Sequence, residues 1–177
     1  MQHADSAIPH HVKATLQHAS GRFLATLRDV LIRSMAQGIP HAASLCADTA
    51  QTLTRSLAQE QRVELRRISL QARNPLNRPN SREQQHLQTL ERMQQVGTLT
   101  DSTVIWDIVE RDGIRYAHMI RPIILNNPLC LNCHGTHKDI APETAAVLSK
   151  RYPQDKARGY TLGQVRGAVS VLSPITP

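Results

Sequence analysis

Five consecutive residues carry the clearest chemistry in the sequence: Cys130-Leu131-Asn132-Cys133-His134. A CxxCH run is the attachment signature of c-type haem. The spacing has a chemical reason. Two thiols three positions apart add to the two vinyl groups of one porphyrin, and the histidine beside the second thiol lies under the iron as its proximal ligand. Two other chemistries use CxxC. A thioredoxin-type redox pair expects a strand–CxxC–helix context, and Asn127-Pro128 reads as a loop instead. A structural zinc site needs a second ligand pair. His137 is close, but CxxCHxxH matches no common finger and no second CxxC exists. The expected cofactor is therefore one covalent haem c per chain, on Cys130 and Cys133, with His134 as an iron ligand.

The other side of the iron has several candidates: Cys46, Met35, Met93, Met119 and His118. Each has an ordinary reading. Methionines fill cores, His118 sits on an expected strand, and Cys46 lies beside the apolar face of an expected helix as a buried thiol. The residues alone leave this choice open. Arginine outnumbers lysine 17 to 4, and guanidinium forks match the two carboxylates of a haem edge. Arg67, Arg73 and Arg166 are the candidates, weighed against solvated surface charge. Tyr160 is a candidate hydrogen-bond donor near the haem, or a core tyrosine. Asn74 is a candidate at the site edge, although its loop context suits a loop-fixing role.

Haem c is attached outside the cytosol, to a translocated and unfolded chain. The motif therefore implies a periplasmic location. Residues 1–20 lack the apolar stretch of a signal peptide, so an export signal is expected ahead of this numbering. No apolar run reaches the roughly 18 residues of a membrane span. The 177 residues carry 21 Lys+Arg against 14 Asp+Glu, a net +7. No nucleic-acid-binding pattern accompanies that charge, which fits an acidic redox partner or an anionic surface better.

These residues must be positioned by a fold, and the pattern predicts an α+β one. Val12, Leu16, Phe23, Leu27, Val30 and Leu31 have helical spacing across 12–35, and Gly38 with Pro40 stops that helix and starts another over 41–59. Residues 62–70 read as a strand and 72–80 (ARNPLNRPN) as a loop. A short helix starts at Ser81 and ends near Gly97. Residues 103–125 read as a hairpin around Arg111-Asp112-Gly113. The CxxCH loop follows, then a helix over 142–151 and a last strand over 168–172. The expected organisation is an N-terminal amphipathic helix, 1–38, and a haem domain, 39–177, built on an antiparallel sheet with packed helices.

Longer motifs surround this frame: Arg66-Arg67-Ile68-Ser69-Leu70, Arg73-Asn74-Pro75-Leu76-Asn77, Pro128-Leu129-Cys130-Leu131-Asn132-Cys133-His134-Gly135, and Asp155-Lys156-Ala157-Arg158-Gly159-Tyr160 running on to Gly163-Gln164-Val165-Arg166-Gly167-Ala168-Val169-Ser170. Together, over about residues 40–173, they resemble a family of periplasmic mono-haem c domains with a PAS-like fold. Members of that family occur alone or as sensor halves of membrane signalling proteins. The resemblance implies His/Cys ligation, with His134 from CxxCH and Cys46 from the early helix. It also implies a redox or diatomic-gas sensor, with NO or CO as ligand, a signalling or redox partner, and a homodimer through the leading helix. A diffusible electron carrier is the alternative. A haem enzyme ranks last, since no acid–base pair is evident beside the motif.

Overall fold

The structure, a computed structural model, describes residues 6–175, apart from the side chains of Ala47 and Asp48. Helix α1 (His10–Met35) buries Val12, Leu16, Ala19 and Phe23. These residues recur every three to four positions and so share one face. Gly38, at φ 105°, turns the chain, and Pro40 sits in the first turn of α2 (Ile39–Gln61), where its missing N–H costs nothing. Arg62 ends α2 in a left-handed conformation, its N–H returning to Ala58 and Gln59 carbonyls. Strand β1 (Glu64–Ile68) is followed by a 3-10 turn at Pro75–Asn77.

Helix α3 (Ser81–Gln95) begins at Ser81, as expected. Asn80 is its cap, accepting from the Glu83 N–H while the Glu83 carboxylate accepts from the Asn80 N–H. Strands β2 (Ile105–Arg111) and β3 (Ile114–Ile124) form the expected hairpin. Asp112 and Gly113 both have positive φ, 52° and 74°, which matches the twist of a two-residue turn to that of its strands. A short helical turn, α4 (Leu131–His134), precedes α5 (Pro142–Arg151) and β4 (Val165–Pro174). The last strand is twice the length expected from its apolar run, because Val165, Gly167, Ser173 and Pro174 continue the pairing, with Arg166 at a bulge between the first two.

The sheet is antiparallel throughout, in the order β1-β4-β3-β2, and the α+β reading holds. Alternation divides its two faces. Leu65, Ala117, Met119, Val169 and Val171 meet α1 and α2, while Ile68, Ile120 and Ala168 meet Leu87 and Leu90 of α3. The apolar stripe of α1 is thus buried against the chain's own sheet. No helix among the described residues is long and apolar enough to cross a membrane.

Candidate functional site

A cleft opens at the end of the sheet where β4 begins. Its empty volume is about 1210 Å³, part of it open to solvent. Leu27, Leu31 and Met35 of α1, Ile39, Ala42 and Ala43 of α2, and Leu148 of α5 make an apolar wall. Cys46, Arg67, Arg73, Asn74, Cys130, Cys133, His134 and Arg166 line the rest. Of the site residues expected from sequence, Tyr160 alone is outside the lining. It is buried behind His134, with the two rings edge to face at 6.4 Å.

The CxxCH segment is more ordered than the loop predicted for it. The Asn127 side chain accepts from the Leu129 N–H, and Pro128 fixes φ for a 3-10 turn, Pro128–Cys130. That turn runs straight into α4. An Asx turn leading into proline is a helix-starting signal, and it is the local cause of the difference. The glycine after His134 is sterically required. A Cβ on Gly135 would stand 2.6 Å from Asp139 and 2.7 Å from the Leu131 carbonyl.

His134 is held from several sides. The Tyr160 N–H donates to the His134 carbonyl at 2.9 Å, and the Gly159 N–H to that of Gly135 at 2.8 Å. On the ring, Nδ1 is 3.0 Å from the Ala157 carbonyl and 3.1 Å from Arg166 Nε. It cannot donate to one and accept from the other at once. The carbonyl bond requires Nδ1–H and leaves the lone pair on Nε2, the form in which an imidazole binds a metal. Burial, then the Arg166 and Arg73 charges, hold the ring pKa well below the usual histidine range, so it is neutral.

Three arginines serve this arrangement differently. Arg73 Nε donates to Asp155 at 3.1 Å, and its Nη2 donates to the Cys133 carbonyl and, at 3.2 Å, to that of Ala157. Arg73 thereby fixes the same carbonyl that orients His134. Arg166 donates through Nη1 to Ser69 Oγ at 2.7 Å and lies over the Tyr160 ring at 5.5 Å. Burial brings its pKa down to about 10, so it remains a cation. Arg67 contrasts with both: its Nε is buried and has no partner.

Cys46 faces this cationic cluster from α2. Burial pushes its thiol pKa up, while Arg67 and then Arg73 pull it back. Cys133 is close enough to share that field, with burial the largest effect and Arg73 the next. The remaining candidate ligands separate clearly. Met119 is in the α1-side core, Met93 packs on the α3-side core, and His118 bonds Ser170 beneath α3. Met35 joins Cys46 in lining the cleft. Asn74 lines it too, but its side-chain oxygen accepts from the Leu76 N–H, the loop-fixing role its context suggests.

The profile of the Tll0287-like family (Tll0287) matches residues 2–174. This chain belongs to the Tll0287-like family. The family resemblance carried by the motifs is thereby borne out. Among solved structures, the crystal structure of the cyanobacterial heme-protein Tll0287 is similar in fold, with a TM-score of 0.59 and 21% identity, over 86% of this chain and 93% of that chain. No curated protein matches the sequence.

In this Tll0287-like chain, several site residues escape a reading of isolated motifs. Asp155 organises Arg73, Arg158 and the Ala157 N–H, and Ser69 anchors Arg166. Tyr152 lines the cleft near Arg67 and Cys46. Asp155, Ala157 and Ser69 all lie inside the longer motifs. The signal was present, but the pairing of each with its arginine is long-range. The wall contributed by α1 had no signal beyond amphipathicity.

Proposed function

We propose that this chain is a c-type haem protein, with Cys130 and Cys133 as attachment thiols and His134 and Cys46 as the axial pair. One observation carries the reading: all three cysteines and the CxxCH histidine line a single cleft. The residues present fit the group. An apolar wall suits a flat porphyrin. The unpartnered, buried Arg67 Nε is a charge-bearing donor left without an acceptor, which a propionate or a thiolate would satisfy. Haem would supply a one-electron iron centre, able to take a diatomic gas such as NO or CO where the Cys46 thiol gives up its place.

The chain's own part is to hold that centre asymmetrically. The Ala157 carbonyl accepts a hydrogen bond from Nδ1–H and leaves the Nε2 lone pair of His134 free to bind a metal. Arg73 secures the Cys133 and Ala157 carbonyls, so thiol and imidazole keep one geometry. Cys46 is carried by a different element, α2, which packs on α5 and β1. A change at the Cys46 sulfur is therefore felt along a 23-residue helix, whereas a change at Cys130, Cys133 or His134 meets a short braced turn. This asymmetry supports a redox or gas-sensing role, in the periplasm, over simple electron transfer, which favours two equally rigid ligands.

Mass spectrometry of denatured protein tests attachment: one haem should stay on the wild type and none on Cys130→Ala/Cys133→Ala. Ferric and ferrous absorption spectra of wild type and Cys46→Ala test ligation. A His/thiolate spectrum lost on substitution is the expected result. A bis-His or His/Met spectrum unchanged in Cys46→Ala would discard the thiolate assignment. Ferrous protein that binds neither NO nor CO and keeps its thiolate on reduction would favour the carrier.

A further inference from the structure

A second group of donor side chains lies beneath α3, on the sheet face opposite α1 and α2. Asp107 of β2 and His118 of β3 are direct cross-strand partners, so their side chains emerge side by side on one face. His86 comes down onto them from α3. One donor atom of each residue lies within 4.8 Å of the other two. His86 Nε2 is 2.9 Å from Asp107 Oδ2, and the two imidazole rings stand edge to face at 5.8 Å. The three residues come from three elements that the surrounding core fixes.

The buried member of the trio is incompletely satisfied. His118 is 2% exposed. Its Nε2 pairs with Ser170 Oγ at 2.9 Å, and its Nδ1 is buried with no partner. An orphaned ring nitrogen in a native core needs an explanation. Where Nε2–H donates to Ser170, Nδ1 is a bare lone pair on a ring that stands beside a carboxylate and a second imidazole. Burial, followed by His86, brings the His118 pKa down to about 4, so the ring is neutral and able to ligate near neutral pH. A hollow bordered by Asn80, Ser81, Arg82, Val109, Arg111 and Leu172 reaches His118 from outside.

We propose that His86, Asp107 and His118 form a divalent transition-metal site, suited to Zn2+, that pins α3 to the β2–β3 hairpin. Two imidazoles and a carboxylate are a borderline donor set, and water would complete a four-coordinate site. Donors around tetrahedral zinc sit on the order of 3.3 Å apart, so the trio needs to draw in by rotamer adjustment only. The present neighbours can yield. Arg82 Nε bonds Asp107 at 3.0 Å, but its side chain is 49% exposed and solvent can take it. His86 gives up its Asp107 bond by placing its proton on Nδ1. Nothing in this site touches the cleft, so it stands independently of the haem reading.

The test uses the full chain, stripped with chelator and titrated with Zn2+ by calorimetry, with zinc K-edge absorption, which iron does not obscure, as the structural readout. We expect one tight Zn2+ per chain, two-imidazole scattering at the zinc edge, and a rise in Tm on binding. Asp107→Asn and His86→Ala, both at half-buried positions, should weaken binding by about 10- to 100-fold or more. His41→Ala, a remote exposed histidine, and a variant lacking His10 and His11 should bind as the wild type does. Absence of a tight site, or equal affinity in wild type and His86→Ala, would overturn the proposal and leave the trio a hydrogen-bonded network.

Discussion

The two sides of the cleft are built to different standards. The His134 side is braced by polar contacts. Arg73, Asp155, Arg158, Ala157, Gly159 and Tyr160 interlock around the six-residue stretch 155–160 and a single turn. The Cys46 side is held by apolar packing and, among the described residues, by two side-chain contacts that link α2 to its neighbours: Gln51 to Asn77 at 2.9 Å and the exposed Arg22–Glu60 ion pair with α1. Polar networks with buried charges specify one arrangement and fail abruptly, whereas apolar helix packing tolerates small shifts. Here the polar bracing is concentrated on the His134 side, and the Cys46 side rests on helix packing.

Breaking the braced side should cost most. Asp155→Ala strips Arg73 and Arg158 of a carboxylate that is itself 3% exposed. It should lose about 3–5 kcal/mol, measured by urea unfolding. The same contact predicts acid behaviour. Burial raises the Asp155 pKa, but Arg73, the Ala157 N–H and Arg158 more than offset it and bring the carboxyl below the ordinary 3.8. A group with a depressed folded pKa stabilises fully above its unfolded value and loses that stability as pH falls through the folded value. Wild-type stability should therefore drop more steeply below about pH 4 than that of Asp155→Asn, read from unfolding curves between pH 5 and 2.

The other side should respond in the opposite sense. Cys46→Ala should cost only about 1 kcal/mol of stability, yet change the ferric spectrum as described above. A stability loss matching that of Asp155→Ala would erase the asymmetry. The smallest effect is expected for Asn74→Ala, which removes one exposed side-chain acceptor from the Leu76 N–H. It should cost about 0.5–1 kcal/mol, visible as a small Tm shift with the spectrum intact.

Legibility in the sequence followed the range of the interaction. Helices α1 and α5, the 111–113 turn and the CxxCH motif are short-range signals, and each was readable from periodicity, proline placement or spacing. The α4 turn has no distinct signal, because Asn127-Pro128 reads equally as a loop breaker and as a helix start. Residue type marked Arg73, Arg166 and Arg67 as one class. Only the fold separates a clamp on backbone carbonyls, a cation against imidazole, and a guanidinium with an unmet donor. The placement of Cys46 and Met35 on one wall likewise depends on how α1 and α2 cross the sheet, which no local pattern encodes. His86, Asp107 and His118 are scattered over 33 positions, and a hairpin register was needed to bring them together.

The strand order has a consequence for how the molecule comes into being. Strand β4 bonds both β1 and β3, and its register joins Glu64 to Leu172 and Met119 to Val171. The first two-thirds of the chain therefore cannot close a sheet alone, and Arg166 and Gly167 arrive with the strand that completes it. Gly167 packs so tightly on that closure that a Cβ there would sit 2.3 Å from the Ile68 carbonyl. Long-range pairing of this kind forms late and slowly. During synthesis, residues 130–134 would remain on an open chain until the seam at Gly167 zips shut and turns a reachable peptide into a walled site.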